Sequence, residues 1–197
     1  MINKILLLIL AIVFTGGSSG ISYGQGATYT GTAVIYGTGT NTRTVTRTFT
    51  LNVNGQTSKE DSARYLKALE DGGQYKLREV LKSGDLGRFS LGSSLGNQLE
   101  AVVIDEVEGK TRVRAVFERW IGFGELRGGY RSVDYPFGYI EILIDPRTGK
   151  GEGTFIPAAQ IRFRSGKNGA ADTVEIEDFG TFPSRLIAVT QRGVVRN

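Results

Sequence analysis

Residues 99–120 read LEAVVIDEVEGKTRVRAVFERW. Two runs containing several β-branched or aromatic residues, 99–107 and 112–120, flank the turn sequence Glu108-Gly109-Lys110. Apolar runs of this kind on either side of a glycine-containing turn are typical of a β-hairpin. The stretch therefore predicts two antiparallel strands, and it sets the class of the fold.

The same pattern continues on both sides of this hairpin. Residues 28–51 predict two strands around a turn at 37–41, and threonine stands at every second position from 38 to 50. Further strands are predicted at 131–135, 138–144, 154–164, 173–179 and 185–191. About nine short strands at this spacing predict a mainly β fold, either an antiparallel β-sandwich or a β-barrel.

One segment departs from the β pattern. Residues 58–83 carry apolar stripes at helical spacing, with Thr57 or Ser58 available as the helix cap and the pair Gly72-Gly73 as an interruption. This predicts a helical hairpin inserted between strands, the minor α part of the fold. We expect the hairpin to cover an open end or an edge of the sheet.

The N-terminus has the composition of a signal peptide. Lys4 precedes an unbroken apolar run over 5–14, and small residues follow. The run is too short for a transmembrane helix, which needs about 20 apolar residues. We expect residues 1–26 to be a signal peptide, cleaved between Gly17 and Gly26. Residues 27–197 would form a single β-rich domain that is exported, periplasmic or secreted, and does not span the membrane.

The composition excludes many kinds of chemistry. The 197 residues include no cysteine and no histidine. Disulfides, thiol nucleophiles, Ser-His-Asp triads and zinc sites built from imidazole or thiolate are therefore excluded. We expect no metal site and no cofactor. The net charge of +4 is too small to predict nucleic-acid binding without a concentrated basic face.

Aromatic residues concentrate in one part of the sequence. Seven of them lie within the 23 positions 117–139, together with arginines and with four glycines at 122, 124, 128 and 129. Aromatic rings offer stacking faces, and guanidinium groups offer paired donors to carboxylate or phosphate. The candidate ligand-binding residues are Arg119, Trp120, Phe123, Arg127, Tyr130, Arg131 and Tyr135. The alternative is that the aromatic residues fill the barrel and the arginines lie outside it.

Carboxylates near the same patch allow a second interpretation. A glycosidase-like hydrolase needs two carboxyl groups and no histidine. The candidates are Glu118, Glu125, Asp134 and Glu141. Their spacing does not define a pair across a scissile bond, so the sequence favours a non-catalytic protein over an enzyme.

Three segments carry a resemblance to other proteins. GRFSLG at 87–92, FERWIGFGELRGGYRSVDYPF at 117–137 and IEDFGTFPSRL at 176–186 resemble segments of small exported bacterial proteins of uncharacterised function. The resemblance implies an exported single domain, and it transfers no catalytic residue.

The sequence thus favours an exported, non-catalytic binding module whose ligand is acidic, glycan-like or a partner protein. The alternatives are a carboxylate-dependent envelope hydrolase and a structural envelope protein without a small ligand. An open aromatic groove would favour binding, convergent carboxylates would favour the enzyme, and a closed apolar core would favour the structural protein.

Cleavage of the signal peptide is directly testable. Because the charged start and the apolar run have the lengths that a signal peptidase substrate needs, we expect cleavage before Thr28, between Gly17 and Gly26. Mass spectrometry of protein recovered from the envelope or the medium measures the resulting N-terminus. An intact Met1 in that fraction would contradict the prediction.

Overall fold

The computed structural model describes residues 26–36, 43–81, 86–122, 127, 131–166, 173–180 and 182–193, and the backbone of 8–10. The strands are β1 Leu8–Leu10, β2 Ala27–Ile35, β3 Val45–Val53, β4 Gly87–Leu91, β5 Asn97–Gln98, β6 Ala101–Val107, β7 Lys110–Glu118, β8 Phe137–Asp145, β9 Lys150–Arg164, β10 Thr173–Asp178 and β11 Ser184–Arg192. One α-helix, α1, spans Lys59–Val80, and a 3-10 helix spans Arg131–Asp134. The prediction of a mainly β fold with a minor helical part is confirmed.

All pairings between the strands are antiparallel. The order across the sheet is β5-β4-β3-β2-β11-β9-β8-β7-β6, and β10 pairs with β9 on one side and with β1 on the other. Only β1 and β5, of three and two residues, are shorter than five residues among the described strands. The other nine described strands equal the number of about nine that the sequence predicts.

The sheet curls until its two ends meet. The chain that follows β3 hydrogen-bonds to the edge strand β6: the Thr57 N–H donates to the Val102 carbonyl at 2.8 Å, and the Val102 N–H donates to Thr57 Oγ1 at 2.8 Å. The Ile104 N–H donates to Gln56 Oε1 at 3.0 Å. These bonds satisfy backbone groups that an open edge would expose. The curled sheet therefore encloses a core of side chains from β2, β3, β4, β6, β7, β8, β9 and β11.

The helix packs on the outer face of the sheet. Ser58 is the cap, because its Oγ accepts the Asp61 N–H at 3.0 Å, whereas Thr57 bonds to β6. Leu69 and Leu77 pack against apolar residues of β8, β9 and β10 in a second core. The predicted interruption is present as a kink, since Gly73 has a φ of 65°. The expectation that the helical segment covers an open end or an edge is therefore wrong.

The predicted strand at 131–135 is also wrong. Residues 131–134 form a 3-10 helix, and the Tyr135 N–H donates to the Ser132 carbonyl at 3.1 Å. Carbonyl groups of this segment accept hydrogen bonds from the Arg119 side chain, so they are not available to a strand ladder. The strand β4 was missed because its five residues offer too short a pattern.

Several expectations lie outside the described residues. They are the turn at 37–41, residues 82 and 83 of the helical segment, and the signal peptide except for the backbone of Leu8–Leu10. Within the described part of the chain, no helix has the combination of length and hydrophobicity needed to cross a membrane.

A close approach across β7 and β8 shapes the interior. Phe117 lies opposite Gly138 in the strand register, and a Cβ on Gly138 would collide with the Phe117 ring. The absence of a side chain at 138 therefore gives the ring its place in the core.

We expect Gly138→Ala to lower the free energy of unfolding by about 1–3 kcal/mol, because an added methyl group overpacks the core against the Phe117 ring. Urea denaturation measures the change. Gly55→Ala is the matched control, since the nearest atom to a Cβ there, Leu86 Cδ2, lies at an ordinary 3.5 Å. Equal stability of the two variants would show that the close approach does not constrain the fold.

Candidate functional site

A pocket of about 290 Å³ opens at one end of the curled sheet, and we call it the mouth pocket. The loops that follow β4 and β7 meet there with the middle of β9. Its lining residues are Phe89, Leu91, Ser94, Asn97, Phe117, Arg119, Trp120, Phe155 and Pro157. The volume lies at the small end of the range for ligand pockets.

The inner wall of the mouth pocket is aromatic. The Phe89 ring lies 5.8 Å from the Phe117 ring and 4.9 Å from the Phe155 ring, measured between centroids. The Phe117 and Phe155 rings are 6.5 Å apart. All three side chains belong to the core inside the sheet, because they occupy inward positions of β4, β7 and β9. The three rings are only 1%, 2% and 3% exposed, so the pocket ends against the closed apolar core.

Arg119 is held firmly in the wall of the pocket. Its Nε donates to the Tyr135 carbonyl at 2.6 Å, and its Nη2 donates to the Ser132 carbonyl at 2.6 Å. The Arg119 N–H also donates to the Pro136 carbonyl at 2.9 Å. These bonds fix the orientation of the guanidinium in the pocket wall.

The rim of the mouth pocket carries exposed apolar side chains. Trp120, the single tryptophan of the chain, is 82% exposed, and Leu95 is 90% exposed. Arg88 holds the turn that carries Leu95, because its Nη1 donates to the carbonyls of Leu95 and Gly96 at 3.1 and 3.3 Å. Large apolar side chains are exposed in this way mostly where a ligand or a partner covers them.

Three other predicted ligand-binding residues that the structure describes, Arg127, Arg131 and Tyr135, are not among the lining residues of the pocket. Tyr135 is buried, donates from its hydroxyl to Glu177 Oε1 at 2.7 Å, and packs against Phe179 with the centroids 5.2 Å apart. Burial and the Glu177 carboxylate raise the pKa of this tyrosine. Arg127 and Arg131 are exposed. Phe123 and Tyr130 lie outside the described residues.

The three predicted catalytic carboxylates that the structure describes, Glu118, Asp134 and Glu141, do not line the mouth pocket. Glu118 forms an ion pair with Arg78 of α1, and Glu141 Oε2 accepts the Tyr139 hydroxyl at 2.9 Å. Glu118 lies opposite Phe137 in the strand register. Phe137 and Glu141 are four positions apart along β8, so the backbone positions of Glu118 and Glu141 are separated by roughly 13 Å. Glycosidase pairs are separated by about 5–9.5 Å.

Of the remaining two candidates, Asp134 ends the 3-10 helix, where its backbone carbonyl accepts a hydrogen bond from Gln74 Nε2 at 2.8 Å. Glu125 lies outside the described residues. Within the described ranges, no cluster of acidic residues could hold a metal ion.

The structure reveals a carboxyl group that sequence reasoning missed. Glu100, just before β6, is half-buried, and burial raises its pKa to about 7, with the charge of the neighbouring Glu118 acting in the same direction. The Glu100 Oε2 atom is buried and has no hydrogen-bond partner. The signal in the sequence is an acidic residue between Leu99 and Ala101 in an otherwise apolar strand start.

A second cavity of about 390 Å³ lies on the opposite side of the fold. Lys110, Asp145, Lys150 and Glu152 contribute charges of both signs to its walls. Although it is larger than the mouth pocket, it lacks the aromatic wall. We therefore take the mouth pocket as the candidate site.

We expect Glu100→Gln to raise the free energy of unfolding at pH 8 by about 1 kcal/mol, after allowance for the screening of a partly exposed group, and to have little effect at pH 4. A carboxyl with a raised pKa in the folded state stabilises the fold while protonated, and this contribution is lost as the pH rises from about 4.5 to about 7. Denaturation at the two pH values measures the effect.

Glu106→Gln is the control, because Glu106 is exposed on the neighbouring strand β6. This substitution should change the stability equally at both pH values. If Glu100→Gln behaves in the same way as Glu106→Gln, burial does not perturb the Glu100 carboxyl.

Comparison with known proteins adds no assignment to this geometry. The chain matches no protein-family model, and no curated protein and no solved structure is similar to it. The function must therefore be argued from the mouth pocket and its surroundings.

Proposed function

We propose that this protein is an exported, non-catalytic binding module that takes its ligand at the mouth pocket. The ligand is acidic, glycan-like or a partner protein. The observation that carries the proposal is the pocket itself: the Arg119 guanidinium lies in its wall, the Trp120 ring is exposed on its rim, and three buried phenylalanine rings close its inner side. Pockets that combine apolar walls with a few oriented polar groups are the usual form of a ligand site.

Two features favour binding over a purely structural role. The first is the Trp120 side chain, which is 82% exposed beside the pocket and offers a ligand apolar surface next to a cavity. The second is the Arg119 guanidinium, which its bonds to the Ser132 and Tyr135 carbonyls orient in the pocket wall.

A carboxylate-dependent envelope hydrolase is the second candidate, and one observation favours it. Glu100, with a pKa of about 7, stands beside Glu118, whose carboxylate pairs with Arg78. A protonated and an ionised carboxyl together can act as acid and base. Neither residue lines the mouth pocket, so the binding module remains the better supported proposal.

The hydrolase is tested with Glu100→Gln and Glu118→Gln. Both substitutions should abolish any hydrolysis of envelope glycans by the purified protein, if such hydrolysis is detected. Hydrolysis that persists in both variants would remove the catalytic candidate.

The binding proposal predicts different effects for the mouth and for the far end of the sheet. We expect Trp120→Ala to weaken ligand binding but to change the free energy of unfolding by no more than about 0.5 kcal/mol, because the side chain is exposed. Arg127→Ala and Arg131→Ala change exposed arginines that do not line the pocket, so each should weaken an anionic ligand less than Trp120→Ala does, through screened charge alone.

Binding is measured on an array of glycans and anionic compounds, with thermal unfolding recorded in parallel. Arg147→Ala is the matched control, since this arginine is 88% exposed in the β8–β9 turn at the far end. If Trp120→Ala binds every compound as the wild type does, the rim is structural and the proposed function fails.

A further inference from the structure

The surface that the mouth pocket offers to a ligand is mixed in character. Its three phenylalanine rings are buried, so they close the inner side and present little area. Four of the other lining residues carry hydrogen-bonding side chains: Ser94, Asn97, Arg119 and Trp120. A ligand that suits this surface has polar groups at its edge as well as an apolar face.

Asn97 is a polar side chain at an inward position of the sheet. It lies opposite the buried Phe89 in the register of β4 and β5, and residues that lie opposite each other share a face of the sheet. Leu99, two positions further along the chain, is also part of the core. The Asn97 side chain therefore lines the mouth pocket at a position where the strand alternation favours an apolar residue.

The amide of Asn97 is available to a ligand. No residue in the described part of the chain hydrogen-bonds to this side chain. A side-chain amide offers two N–H donors and one acceptor oxygen in a fixed plane. It can therefore exchange hydrogen bonds with two neighbouring polar groups of one ligand.

Trp120 supplies the apolar face on the rim of the same pocket. A Cβ placed on Gly122 would lie 3.1 Å from Trp120 Cζ3, which is closer than an ordinary contact. The six-membered ring of the indole therefore lies against the chain at Gly122, while most of the side chain is exposed. This arrangement holds an aromatic surface beside the pocket before a ligand arrives.

A pyranose ring has both kinds of surface that these residues can bind. Its C–H groups form an apolar face that packs on an aromatic ring, and its adjacent hydroxyl groups donate and accept hydrogen bonds at the edge. Ser94 adds another polar group, because its Oγ accepts the Leu91 N–H at 3.2 Å and its hydroxyl proton remains available to a ligand. A volume of about 290 Å³ suits a single small ring.

We propose, as a refinement that rests on the proposed function, that the mouth pocket binds the terminal sugar residue of a glycan. One face of the pyranose ring lies on Trp120, and two adjacent hydroxyl groups bond to the Asn97 amide and the Ser94 hydroxyl. A partner protein is less well matched, because docking of a protein surface requires the exposed rim but not an unpartnered amide inside a small pocket.

Calorimetric titration tests this proposal, and the emission of Trp120, the single tryptophan, reports on the site. The saccharide probes are cellopentaose, maltopentaose, mannopentaose, chitopentaose and the acidic pentagalacturonate, and the other probes are adenosine and succinate. We expect saturable binding of at least one saccharide with a change in the Trp120 emission, and no binding of adenosine or succinate. The tightest saccharide shows whether the sugar is neutral or acidic.

Asn97→Leu and Gln98→Leu are matched variants, because they remove an amide at adjacent positions, of which only Asn97 lines the pocket. We expect Asn97→Leu to weaken saccharide binding about ten-fold, the scale of one lost hydrogen bond, without lowering the melting temperature, since an apolar side chain suits an inward position. Gln98→Leu should bind as the wild type does. If the two variants bind the saccharide equally tightly, the inference is overturned.

Trp120 is tested by a graded pair of variants. Trp120→Ala should weaken saccharide binding about ten-fold, whereas Trp120→Phe, which keeps an aromatic face, should weaken it less. Equal affinities of Trp120→Ala and the wild type would show that the sugar does not pack on this ring, and would overturn the inference.

The remaining outcomes separate this inference from the proposed function. If none of the five saccharides binds but adenosine or succinate binds and changes the Trp120 emission, the sugar is wrong and the binding module stands. If none of the probes and no compound of the array binds to the wild type, both proposals fail.

Discussion

Hydrogen bonds between the chain after β3 and the edge strand β6 hold the curled sheet together. Thr57 exchanges two bonds with Val102, one from the backbone and one through its hydroxyl, and Gln56 reaches Ile104. Without them, β6 would present unpaired backbone groups to solvent, and the core between the two ends of the sheet would lose its cover. The interior and the mouth pocket both depend on this contact.

The same contact also determines where the helix can go. Thr57 is the last residue of this connection that bonds to β6, and the helix cap, Ser58, follows immediately. The helix α1 therefore begins at the outside of the sheet. From there its apolar stripe can reach only the outer face of β8, β9 and β10. Among the described residues, α1 therefore contributes nothing to the lining of the mouth pocket.

Arg119 connects the fold to the candidate site. Its guanidinium donates hydrogen bonds to two carbonyl groups of the segment 132–135. These bonds give the segment a defined position, although it has no strand partner. The same group forms part of the pocket wall. A side chain that organises a loop and lines a pocket is already oriented before a ligand arrives, which reduces the entropic cost of binding.

Local patterns were enough to indicate most of the strands, the helical segment and its interruption, although β4 was missed. Strand alternation, a capping serine and a glycine pair act over a few neighbouring residues, so they can be recognised without knowledge of the rest of the chain. They also indicated the densest aromatic region, and two of the predicted ligand-binding residues, Arg119 and Trp120, line the pocket. The segment 131–135 misled this reasoning, because its conformation depends on a side chain more than ten residues away.

Burial, by contrast, was decided only by the tertiary structure. Tyr135 and Trp120 belong to one aromatic patch in the sequence, yet the first is buried against Phe179 and the second is exposed on the rim. Glu100 acquires its raised pKa from burial and from Glu118, which a different strand brings beside it. Exposure and ionisation depend on neighbours that the strand register assembles from distant parts of the chain, and a local pattern carries no information about them.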